Sequence, residues 1–74
     1  MGGHMHEPVS RVTQIVRRVL VDVDLSRSCR SCSTAFYDER TADLEAAAQI
    51  LRDVHGYRVQ LDQSVRQCVV NVQL

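Results

Sequence analysis

The chain has 74 residues, and nine basic and nine acidic side chains bring its formal charge at neutral pH to zero. That balance removes the electrostatic argument for a dedicated nucleic-acid or membrane-surface binder, because such binding draws on clustered positive charge. No apolar run approaches the roughly 18 residues that cross a bilayer, and one domain of this length buries a core small enough that a metal, a disulfide or a partner subunit is expected to add stability.

Met1 to Met5, Met-Gly-Gly-His-Met, reads as an expression-tag remnant, with no apolar h-region of a signal peptide. Residues 6–74 are expected to form a single small domain, and the apolar alternation that runs up to Leu74 leaves open whether it is excised from a larger protein. Three cysteines are an odd number for a secreted disulfide framework, so an intracellular compartment, cytoplasmic or nuclear, is expected. All nine basic residues are arginine, which a high-GC genome would produce without functional cause.

Pro8 to Leu25 supports two readings. Val9, Val12, Val16, Val19 and Val23 fit a helical period, with Pro8 placed for a first helical turn. Nearly every apolar residue of the segment is β-branched, which favours strand, and Val19, Val21, Val23 and Leu25 alternate with Leu20, Asp22 and Asp24. We expect strand for both halves, bent near Arg17-Arg18, with the helix as alternative. Ser26 to Thr34 reads as a polar loop, and Ala35-Phe36-Tyr37 as a short strand.

Leu44, Ala47, Ala48, Leu51 and Val54 recur at three- and four-residue intervals and define one face of a helix, with Asp38 or Thr41 as N-cap. Gly56 is placed to end it in a left-handed conformation. Beyond it Tyr57, Val59 and Leu61 alternate, as do Cys68, Val70, Val72 and Leu74, which predicts a hairpin. With residues 62–65 as loop, Val59 faces Cys68 and all apolar side chains share one face. The expected fold is α+β, one helix on a small antiparallel sheet in the order β-β-α-β-β, with α-β-α-β-β as alternative.

Cys29-x-x-Cys32 can bite one zinc ion, with His55 and Cys68 as further ligands. The bland reading makes Cys68 a core residue, His55 a solvated helix end and the other two loop thiols. A dithiol redox site would need the motif to open a helix, and the expected helix begins only at Asp38. Cys29, Cys32, Phe36, His55, Gly56, Tyr57 and Val59 together resemble the dimerisation domain of ferric-uptake-type metalloregulators over less than half of the chain. That resemblance implies dimerisation and zinc. The family's histidine cluster, the glycine after its second cysteine and its downstream Cys-x-x-Cys have no counterpart here.

Val19 to Ser26 resembles the strand and Asp-x-Asp entry of haloacid-dehalogenase-type phosphotransferases, which implies Asp22 as nucleophile and Asp24 as general acid. That family also uses a lysine, and this chain has none. Alternation alone accounts for both aspartates as the wet face of a strand. Arg17, Arg18, Arg27 and Arg30 could meet phosphate, with Tyr37 or Tyr57 as a stacking platform, although a short basic cluster on a neutral chain usually marks a solvated face.

The first functional expectation is a non-enzymatic protein-interaction and assembly module, self-associating as a homodimer through a sheet edge or face, without cofactor. Leu20 and Val69, apolar residues on the side expected to be wet, are its interface candidates. A small structural zinc module is second and single-stranded nucleic-acid binding third.

Overall fold

The structure, a computed structural model, describes residues 10–74, so the tag reading of residues 1–5 and the placement of Pro8 and Val9 lie outside the described residues. Five elements follow one another: α1 (Arg11–Leu25), β1 (Ser31–Tyr37), α2 (Thr41–Asp53), β2 (Arg58–Ser64) and β3 (Gln67–Gln73). The fold is α+β in the order α-β-α-β-β, the alternative arrangement rather than the expected β-β-α-β-β.

The correction falls on residues 11–25, which form a helix and not two strands. Ser10 caps it, its hydroxyl accepting from the Thr13 amide at 3.1 Å. Ile15, Val16, Val19 and Val23 are buried on one stripe, flanked by the partly buried Val12 and Leu20. A stripe that complete outweighs the modest helix penalty of β-branching, because burial contributes more per residue than propensity removes. The Asp22-x-Asp24 pair accordingly sits on a helix, without the strand entry of the phosphotransferase motif.

Residues 31–37, expected to be mostly loop, form a full strand with Cys32, Thr34 and Phe36 buried and Ser31, Ser33 and Tyr37 exposed. β3 lies at the centre of the sheet, antiparallel to β1 on one side and β2 on the other. Both helices pack on one face, α1 over β1 and α2 over β2, and they pack against each other. The core lies between the two layers, where Leu44, Ala47, Ala48 and Leu51 of α2 meet Val59, Cys68, Val70 and Val72.

The helix end at Gly56 is as expected: its φ is 74°, its amide donates to the Arg52 carbonyl and the Tyr57 amide folds back to that of Leu51, both at 3.1 Å. The N-terminal expectation is corrected, since Arg40 occupies the N-cap without a side-chain bond and Thr41 is the first helical residue. The hairpin exists with a different register. Val59 faces Val72, Leu61 faces Val70, and the connection is Val65-Arg66 alone, with Arg66 at φ 66°. The slip from the expected pairing is an even number of residues, so every side chain keeps its face.

Candidate functional site

The four proposed zinc ligands do not converge. Cys29 is exposed in the turn after α1, Cys32 and Cys68 are buried on separate strands, and His55 is exposed at the end of α2, stacked on Tyr57 at 6.3 Å between ring centroids. In the ladder Cys32 lies opposite Val72 and Cys68 opposite Phe36, which separates the two buried thiols along the sheet. Among the described residues no group of three or more His, Cys, Asp or Glu could hold a metal ion. Burial, with Asp62 adding to it, pushes the Cys68 thiol up, which suits a core residue better than a thiolate ligand.

The acidic and basic residues singled out above have local partners. Thr34, a buried polar residue in the core layer, donates to Asp22 Oδ2 at 2.6 Å and ties β1 to α1. Asp24 pairs with Arg27 at 2.7 Å, and the Arg18 guanidinium lies 5.4 Å from the centre of the Phe36 ring. Arg11 Nε donates to Glu39 Oε1 at 2.8 Å and its Nη2 pairs with the other carboxylate oxygen. The Glu39 side chain is only 7% exposed, and the hydrogen-bonded guanidinium holds its carboxyl below the usual range. With Arg11 at the Glu39 end of β1 and Asp22 at its middle, α1 runs antiparallel to β1.

The two interface candidates separate. Leu20 is on α1, partly buried against the core and lining a groove with Val23, Tyr57 and Leu74, so it is not on the wet face of a strand. Val69 lies at the centre of the sheet face that no helix covers, between Ala35 and Asp62 in the ladder. That open face is mostly polar, and Ser33 Oγ donates there to Asn71 Oδ1 at 2.6 Å. Beside that bond a groove of about 630 Å³ runs past Arg52, Arg58, Gln60, Asn71 and Gln73.

The two edges of the sheet differ in chemistry. β2 carries Arg58 and Asp62, and the Arg52 side chain closes on its outward Val59 carbonyl with bonds of 2.6 and 3.2 Å. β1, Ser-Cys-Ser-Thr-Ala-Phe-Tyr, has no charge, no proline and no glycine. Its backbone directions follow from the bonds at its ends: the Asp38 amide donates to the Arg66 carbonyl and the Leu74 amide to the Arg30 carbonyl, both at 2.9 Å. Even-numbered residues therefore face β3, and the amides and carbonyls of Ser31, Ser33, Ala35 and Tyr37 point away from it. No described strand meets them there. The serine-rich sequence hid this strand, although buried Cys32, Thr34 and Phe36 alternate with Ser31, Ser33, Ala35 and Tyr37 at a strict period of two.

No family model, curated protein or solved structure matches this chain. No helix among the described residues is long and apolar enough to cross a membrane.

Proposed function

We propose that the domain is a non-enzymatic protein-interaction module that associates with a second copy of itself through its sheet. The observation that carries this reading is the β1 edge. Sheet edges are ordinarily blunted by charge, proline, bulges or covering segments, because a row of free amides and carbonyls is a template for another strand. The β2 edge has such protection from Arg52, Arg58 and Asp62, whereas β1 has none within its seven residues. The small two-layer core supports the same reading, since a partner subunit adds the burial that a short chain lacks.

The test is molar mass in solution together with the concentration dependence of thermal stability. A self-associating domain approaches twice 8.4 kDa and melts at higher temperature as its concentration rises. Ala35→Pro removes an outward-pointing amide without touching the β1–β3 ladder, the position where a strand tolerates proline. It should leave a folded monomer. A parent that stays monomeric into the high-micromolar range refutes the proposal.

A further inference from the structure

We propose that two copies pair through β1, antiparallel about a two-fold axis at Thr34, so that Arg30 of each copy faces Asp38 of the other. This rests on the self-association proposed above and adds the edge, the register and the ion pairs that select it. The outward backbone groups belong to the odd-numbered residues of β1, so a symmetric antiparallel ladder must match odd with odd. The axis then passes through a residue and not between two. Placing it at Thr34 uses the whole strand: Ser33 pairs with Ala35 of the second copy, and Ser31 with Tyr37.

Charge chooses among the allowed registers. Arg30 and Asp38 flank β1 symmetrically, both are exposed, and neither side chain has an ion-pair or hydrogen-bond partner among the described residues. With the axis at Thr34 the two-fold brings them together at both ends, as oppositely charged neighbours across a ladder. Moving the axis to Ala35 sets Arg30 against Arg40 of the second copy, a like-charge pair. Moving it to Ser33 sets Asp38 against Ser28 and leaves both charges without a partner. Within the strand nothing opposes the pairing, since an isologous contact repeats every charge it contains and β1 contains none.

The helix layer adds a geometric condition. Paired strands lie about 4.8 Å apart, whereas packed helix axes need about 8–10 Å. The two α1 helices, each over its own β1, must therefore splay, and the joined sheet bends at the seam toward the face that no helix covers. Close contact is confined to the strands and to the charge pairs at their ends.

A charge-swap cycle, read by sedimentation equilibrium, tests the register. Arg30→Asp puts two like-charge pairs across the seam and should weaken the dimer by about tenfold, as should Asp38→Arg. The double reversal restores both pairs and should return the parent's dissociation constant. A parent dimer indifferent to the single reversals overturns this register and leaves self-association standing, while a monomeric parent overturns both. Asp38 has φ 58°, which strains an arginine, so a second readout avoids that position. In a Cys29→Ser background, Ser33→Cys and Ala35→Cys proteins mixed and oxidised should cross-link to each other, because hydrogen-bonded partners sit about 5.5 Å apart between Cα atoms. An Ala35→Cys homodimer as the main product would place the axis at Ala35 and refute the proposal.

Discussion

The hydrogen bond between Thr34 and Asp22 predicts an order of stabilities that runs against the size of the changes. Thr34 is 2% exposed and donates at 2.6 Å to a half-buried carboxylate. Asp22→Ala orphans a buried hydroxyl, which costs about 1–3 kcal/mol. Alanine also returns about 0.5–0.7 kcal/mol of helix propensity within α1. The net loss should be about 1–2 kcal/mol. Thr34→Val instead removes the donor and leaves Asp22 within reach of water. The lost bond to a charged acceptor, at the low end of about 1.5–3 kcal/mol because Asp22 regains water, is then partly offset by a buried methyl worth about 0.8 kcal/mol, a net loss of about 1 kcal/mol or less. The double variant has no orphaned group, so it should be more stable than Asp22→Ala alone. Urea midpoints at unchanged slope measure all three. Should Thr34→Val cost more than Asp22→Ala, or the double variant fall below it, the bond does not anchor α1 to β1 as described.

Gly56→Val should cost about 1–3 kcal/mol in thermal or chemical melts; a Cβ there meets no atom within 4 Å, so the cost comes from placing a β-branched residue at φ 74°. Val70→Ala should cost about 1–3 kcal/mol, and Val69→Ala much less in the monomer, because Val70 is 2% exposed and faces the helices while Val69 faces the open side. The depressed carboxyl of Glu39 contributes stability that is fully present above the ordinary carboxylate pKa and lost as pH falls through the folded value. Melting temperature should therefore fall more steeply on acidification in the parent than in Glu39→Gln; parallel curves would show that Arg11 does not stabilise the ionised form.

The elements legible in the sequence are those whose local signals agree. In α2 the apolar period, the acidic first turn and Gly56 point the same way, and the alternation in β2 and β3 placed Val59, Cys68, Val70 and Val72 on the buried face. The hairpin register was beyond that alternation, which is blind to even slips, and Val65-Arg66 has none of the usual turn residues to mark the connection. In α1, β-branching and a spurious alternation over residues 19–25 masked a stripe whose spacing runs Val12, Ile15, Val16, Val19, Leu20, Val23. The same error put Leu20 on a strand and misplaced one interface candidate. β1 was hidden by composition: Thr34 is buried because a side chain from α1 satisfies its hydroxyl, a pairing that no local pattern announces.

The order β1-β3-β2 makes the central strand the last of the three along the chain. During synthesis β1 and β2 are both made before the strand that each of them needs, and they cannot pair meanwhile without forming a different sheet. At translation rates of ~5–20 residues per second, the interval between the end of β1 at Tyr37 and the end of β3 at Gln73 lasts roughly 2–7 s. Throughout it the nascent chain carries α1 and an unsatisfied strand with the uncharged sequence Ser-Cys-Ser-Thr-Ala-Phe-Tyr, joined by α2 once Asp53 has been made. A chaperone that shields this segment would act in that window, and a translational stop or protease cut before Gln67 would remove every ladder in the sheet at once.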